Sequence, residues 1–125
     1  MKSTITTNNA PAAIGPYSQA VNTGSLIFVS GQIPVDPKTG KIPETIGEMT
    51  AQCLSNAKNI LEAAGSSLDK AVKTTVFLRD MGDFDEMNKV YASFFTEGSY
   101  PARSAVEVAK LPKNVRIEIE VIAIP

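Results

Sequence analysis

The stretch from Val115 to Ala123 alternates at every second residue. Val115, Ile117, Ile119, Val121 and Ala123 point one way along an extended backbone, and Arg116, Glu118 and Glu120 point the other. A strand of this kind buries one face, so another part of the chain must lie across that face. Two segments qualify. Thr45 followed by Glu48 has capping-box spacing, and Ile46, Met49, Cys53, Ala57, Ile60, Leu61 and Ala64 then recur on one helical stripe, with Gly65 placed as the C′ residue. A second helix is expected after Asp83 as N-cap, with Glu86 at N3 and a stripe of Phe84, Met87, Val90, Tyr91 and Phe94.

Leu26 to Ser30 is a short apolar run between Gly24 and Gly31 and reads as a buried strand. Val72, Thr74, Val76 and Leu78 set the register of another. Ser104 to Val108 and Val115 to Ala123 read as two more, joined tightly through Leu111-Pro112-Lys113-Asn114. Two prolines and Gly15 keep the segment from Ala10 to Tyr17 irregular. No repeat or linker divides the 125 residues, so a single domain over residues 1–125 is expected. Its class is α+β, a mixed sheet with two helices on one face. The other face carries Glu118 and Glu120 but also Phe77 and Ile122. That is too apolar for plain solvent and too charged for a core, and a homo-oligomer packing such faces together resolves the conflict.

The residue inventory narrows the chemistry. There is no histidine and one cysteine, Cys53. Ser–His–Asp and Cys–His catalysis, histidine metal ligands, intrachain disulfides and CxxC sites are therefore excluded. No metal and no cofactor is expected, and no glycine-rich phosphate loop is present. With 12 Lys+Arg against 13 Asp+Glu, no basic cluster is available to neutralise a row of phosphates, so nucleic acid is not an expected partner. No apolar run is long enough for a membrane span and the N-terminus has no apolar signal core, so cytoplasmic residence is the expectation.

What remains is Arg, Glu, Tyr, Ser, Asn and backbone groups. Arg103, between Pro101-Ala102 and a strand, is placed to grip a carboxylate with two parallel bonds, although residue type alone favours an ordinary surface salt bridge. Glu118 and Glu120 share a strand face. They read as a solvated edge, unless an oligomer buries them and makes one a base or a water-orienting group. Tyr17 is a candidate donor in its loop, Ser30-Gly31 ends a strand where backbone can approach a ligand, and Asn88 is a polar neighbour of core Met87. Each of these also has a plain packing or surface reading. Cys53 on the apolar stripe reads as a buried structural thiol. The residues by themselves thus give an oligomeric α+β domain with a possible anion site and no reaction.

Several segments together resemble one family. They are Asn9-Ala10-Pro11-Ala12-Ala13-Ile14-Gly15-Pro16-Tyr17-Ser18-Gln19, Ser30-Gly31-Gln32-Ile33-Pro34 and Lys73-Thr74-Thr75-Val76-Phe77-Leu78. Pro101-Ala102-Arg103-Ser104-Ala105-Val106-Glu107-Val108-Ala109-Lys110-Leu111-Pro112 and Ile117-Glu118-Ile119-Glu120-Val121-Ile122-Ala123 are the most specific. This is similar to the Rid family of enamine/imine deaminases, RidA subgroup, from about Ala10 to Ala123. The resemblance implies a chorismate-mutase-like fold and a homotrimer with clefts between subunits. It also implies hydrolysis of the small imino acids 2-iminopropanoate and 2-iminobutanoate, released by pyridoxal-phosphate dehydratases, to 2-oxo acids and ammonia. Carried onto this chain, Arg103 would bind the substrate carboxylate and Glu118 would orient the attacking water. Tyr17, Ser30, Gly31 and Asn88 would line the cleft, and the backbone of position 105 would contact substrate or water. Many members have cysteine at that position. Ala105 leaves only the backbone role here.

Two other readings use the same residues: a non-catalytic trimer that binds small carboxylates through Arg103, and a ribonuclease or translation inhibitor. Glu118 separates the first from an enzyme, because a binding site has little use for a carboxylate beside a bound carboxylate. The acidic pI, near 5.4, and the missing histidine weigh against the second.

Overall fold

The computed structural model describes residues 2–125; the single-domain reading of 1–125 takes in Met1, which lies outside the described residues. The alternating C-terminal segment is β6 (Ile117–Ala123), with Ile117, Ile119, Val121 and Ala123 buried and Glu118, Glu120 and Ile122 on the other side. It lies inside one six-stranded sheet. The other strands are β1 (Ser3–Ile5), β2 (Ala20–Asn22), β3 (Ile27–Gln32), β4 (Ala71–Leu78) and β5 (Ala102–Glu107), in the order β1-β2-β3-β6-β4-β5. β4 and β5 are parallel and the other pairs antiparallel, so the sheet is mixed, as expected.

α1 (Ile46–Ala63) lies across β3 and β6, and α2 (Phe84–Ser93) lies beside α1. The Thr45 hydroxyl accepts the Glu48 N–H at 3.1 Å and donates to the Glu48 carboxylate at 2.9 Å, so the capping box closes through side chains. The next free donor, Gly47 N–H, is taken by Glu86 of α2 at 3.0 Å. A Cβ at Gly47 would stand 3.1 Å from that carboxylate and 3.3 Å from Val90, so a glycine here lets the helices close on each other. At the far end Gly65 adopts φ +79° and its N–H reaches Glu62 O at 3.0 Å, which ends the helix as its position predicts. The expected stripe is buried down to Leu61, with Ala64 half-buried. Thr50 and Asn56 join it inside. The Asn56 amide donates to the carbonyls of Ile33 and Val35, which ties the loop after β3 to α1.

Four expectations need correction. Leu26 to Ser30 is not buried on both sides: β3 starts at Ile27, ends at Gln32 and leaves Phe28 44% exposed, because helices cover one face only. Val72 is also exposed; a bulge between Ala71 and Lys73 puts Ala71 inward in its place, while Thr74, Val76 and Leu78 keep the expected register. Asp83 does not cap α2 with its side chain. Arg116 donates to it at 2.7 and 3.2 Å, a two-bond charged pair that outcompetes a backbone N–H, and Asp80 instead accepts from Gly82 N–H at 2.8 Å. Finally, β5 and β6 are not neighbours, since β4 lies between them. Leu111 to Asn114 is a turn of a crossover, with Lys113 and Asn114 at φ +53° and +54°.

β1 and β2, three residues each, carry no periodicity that would announce them. The face away from the helices carries the expected Phe77, Ile122 and Glu118, half-buried, and Glu120, exposed; Phe28 and Val106 lie exposed on it as well. Among the described residues, no helix is long and apolar enough to cross a membrane.

Candidate functional site

The edge strand β5 carries a cation. The β4–β5 register sets Arg103 beside Thr74, on the face that the helices cover. α2 passes over this point and meets the guanidinium with three residues at helical spacing, 84, 88 and 91. Arg103 Nη1 donates to Asn88 Oδ1 at 2.7 Å, and Cζ stands 4.7 Å from the centre of the Tyr91 ring and 5.4 Å from that of Phe84. Among the described residues Arg103 makes no salt bridge. A half-buried guanidinium with two aromatic walls, one amide acceptor and no counter-ion is a site for an anion. It opens on a cleft of about 400 Å³ bounded by Asn88, Tyr91, Tyr100, Pro101 and Arg103. Ala105 points to the same side, two residues along, and packs against the core.

β6 carries an anion on the opposite face. Glu118 stands beside Phe77 in the β4–β6 register, and its side chain lies over Gly31 of β3. A Cβ at Gly31 would fall 2.8 Å from Glu118 Cδ, so the missing side chain there houses the carboxylate. The strand makes the space by a register shift between Val29 and Gln32. Burial pushes the Glu118 carboxyl above its ordinary value, and the like charge of Glu120 adds to the rise. Glu118, too, makes no salt bridge among the described residues.

Ser30 is a fastener. Its Oγ donates to the Ser18 carbonyl at 2.6 Å and its N–H to the Gln19 carbonyl at 2.9 Å, which pins the loop that carries Tyr17. The Tyr17 ring, 51% exposed, borders a cleft of about 390 Å³ with Phe28, Ser30 and Glu120. A cavity of about 70 Å³ on its other side is bounded by Ile14, Gly31 and Val35.

The proposed site residues therefore form two groups. Arg103, Asn88 and Ala105 share the helix-covered side of β5, and Tyr17, Ser30, Gly31 and Glu118 gather around the open face. The sheet separates the two within one chain. Gln19 escaped the sequence reading: buried, it accepts from Thr7 N–H at 2.7 Å and donates to the Thr7 and Pro11 carbonyls at 3.1 and 2.8 Å, and so clamps the N-terminal loop. No sequence signal marks a glutamine for that task. Tyr91 belongs to the expected core stripe, and its ring is buried as a stripe residue should be. Its hydroxyl is 2.6 Å from the Thr74 hydroxyl. Cys53 is fully buried, and burial pushes its thiol well above the ordinary value, in keeping with a structural role.

Residues 7–125 match the endoribonuclease L-PSP family. The chain belongs to this family. The Rid resemblance is thereby confirmed. A Salmonella typhimurium protein named 2-iminobutanoate/2-iminopropanoate deaminase is 56% identical over 126 residues, covering 99% of this chain and 98% of the relative. The crystal structure of the Escherichia coli YjgF gene product superposes with a TM-score of 0.94 at 56% identity, covering 98% of each chain. Escherichia coli TdcF, solved with bound serine, superposes with a TM-score of 0.93 at 48% identity, covering 98% of each chain. Two helices on a mixed six-stranded sheet are thus the fold of this Rid-family chain and of its relatives.

Proposed function

We propose that this chain is an imine deaminase that hydrolyses 2-iminopropanoate and 2-iminobutanoate to the 2-oxo acids and ammonia. Its catalytic clefts lie between the subunits of a homotrimer, each cleft taking Arg103 from one copy and Glu118 from the next. The observation that carries the reading is that a counter-ion-free guanidinium and a desolvated, unpartnered carboxylate occupy opposite faces of one sheet. Neither completes a site alone, and a second copy brings them together.

The Arg103 fork binds the substrate carboxylate through the N–H donors that Asn88 leaves free, and so fixes the imine carbon. Glu118 accepts a proton from water as its oxygen bonds to that carbon. With the imine entering as its iminium, the C=N π pair moves to nitrogen and a neutral carbinolamine forms. The proton on Glu118 then passes to that nitrogen, the C–N bond breaks and ammonia leaves, while the hydroxyl proton returns to Glu118 as the carbonyl forms and is lost from there to water. A carboxylate held above its usual range is a better base for this than an exposed one. Tyr17 and the backbone of Ala105 line the cleft. The serine bound by TdcF has the three-carbon skeleton of 2-iminopropanoate. The family's name points to RNA cleavage, but a single cation in the cleft and a net charge of -1 favour a small anion. The reaction belongs in the cytoplasm, where dehydratases release such imines.

The test is to generate the imine with threonine dehydratase or an amino-acid oxidase and follow its decay with and without the protein. Arg103→Ala and Glu118→Gln are each expected to be nearly inactive. Refolded together in equal amounts, they should recover about a quarter of the wild-type sites, since random assembly pairs an intact Arg103 with an intact Glu118 in that share of clefts. No recovery in mixed trimers would refute the shared site.

A further inference from the structure

We propose that Tyr91, anchored by Thr74, is a positioning residue that holds the Arg103 guanidinium as a fixed fork. This rests on the reading of Arg103 as the carboxylate anchor.

A buried ring on a helix stripe needs no hydroxyl, and burying one without a partner is costly. Here the hydroxyl is 2.6 Å from that of Thr74, a fully buried residue on β4. Thr74 is also the β4 partner of Arg103 in the parallel register. The tether therefore runs from the strand position beside Arg103 to the ring under its guanidinium. That ring stands 4.7 Å from Cζ, and it also pairs with the Phe95 ring, with ring centres 4.7 Å apart. The face of the guanidinium is thus set by Tyr91, while its in-plane rotation is set by Asn88 at Nη1. An aromatic face attracts a guanidinium and leaves the in-plane N–H donors free, which is what a two-bond grip on a carboxylate requires. Burial is the main reason that the Tyr91 phenol is held above its usual range.

Three variants test this: Tyr91→Leu removes ring and tether, while Tyr91→Phe and Thr74→Val remove the tether only. Orientation is lost while the Arg103 charge stays, so the effect belongs in kcat more than in KM. Tyr91→Leu is expected to lower kcat about tenfold or more with KM changed less, and Tyr91→Phe to recover most of it. Thr74→Val should match Tyr91→Phe, and the double variant should be no worse than either. Pyruvate, the 2-oxo acid formed from 2-iminopropanoate, should bind more weakly to Tyr91→Leu by calorimetry. NMR gives a signature that a purely structural tyrosine would not: the Arg103 guanidinium protons shifted upfield by the ring in wild type and Tyr91→Phe, and shifted clearly less in Tyr91→Leu, where only Phe84, 5.4 Å away, remains. An assembled Tyr91→Leu with wild-type kcat and pyruvate affinity would overturn the proposal. So would unshifted guanidinium protons in the wild type, a result that stands even if Tyr91→Leu does not fold. If the wild type turns over no imine, the proposed function fails, and the proton shift and pyruvate binding decide this inference alone.

Discussion

Arg103 and Glu118 are furnished in opposite ways. Around Arg103 the chain supplies a complete holder: an amide at 2.7 Å, two rings and a hydroxyl tether beneath one of them. Around Glu118 it supplies space and little else, a glycine where a Cβ would collide and a neighbouring carboxylate that repels. The cation is oriented before any ligand arrives, and the anion is left desolvated and waiting. A binding site needs the first kind of preparation. A base needs the second, because a fully satisfied carboxylate has nothing to gain from a proton.

The sharpest way to break that contrast is at the carboxylate. Glu118→Gln keeps the shape and removes the proton acceptor. Imine turnover should fall about 100- to 10,000-fold, with pyruvate affinity largely kept. In the wild type kcat/KM should fall as acid protonates Glu118. Because its carboxyl is raised, that limb should lie at higher pH than an ordinary glutamate would give. A pH–rate profile of the wild type and the glutamine variant reads both effects. Wild-type turnover in Glu118→Gln would remove the residue from the chemistry.

The cation should show the opposite profile, with affinity and rate lost together. Arg103→Ala removes one partner of the proposed charge-assisted pair, at a cost on the order of 2–5 kcal/mol, and pyruvate binding should collapse with kcat/KM. Arg103→Lys should restore little. An ammonium has no flat face to lie on Tyr91 and no second in-plane donor to pair with a carboxylate. Steady-state kinetics and calorimetry on both variants, with a check that each still assembles, make the comparison. A lysine variant near wild type would mean that charge alone suffices and that the holder around Arg103 is packing.

The helices, the central strands and the open charged face were legible because each repeats a period: 3.6 along Ile46 to Leu61, 2 along Val115 to Ala123. What stayed hidden has no period. The pairing of β4 between β5 and β6 is a long-range choice, and the short connection at Leu111 to Asn114 suggested a hairpin instead. The bulges at Ala71–Lys73 and Val29–Gln32 each add one residue to an otherwise regular strand. At the site, chemistry and resemblance point to Arg103 and Glu118, while Tyr91 is apolar enough to pass for core. Its role depends on Thr74 across 17 positions, a distance at which no local pattern operates. Asp83 shows the converse: its local context announces a cap, and a long-range arginine takes its carboxylate.

The smallest effect tests whether Glu118 remains unpartnered in the proposed homotrimer. Its carboxyl is raised in the folded chain and ordinary in the unfolded one, so the ionised form is the costlier to fold. A raised group contributes stability that is fully present below the unfolded value and is lost as pH rises through the folded one. Removing the charge should therefore help at neutral pH and do nothing in acid. Glu118→Gln is expected to melt roughly 1–4 °C above the wild type near pH 7, with the gap closing towards pH 4. Melting curves at several pH values, without ligand, measure it. The informative failure is a reversed sign: a variant less stable than the wild type at neutral pH and equal in acid. That would mean that the neighbouring copy's Arg103 already pairs with Glu118 in the free enzyme. The carboxylate would then be lowered by assembly, and substrate would have to break an ion pair in order to bind.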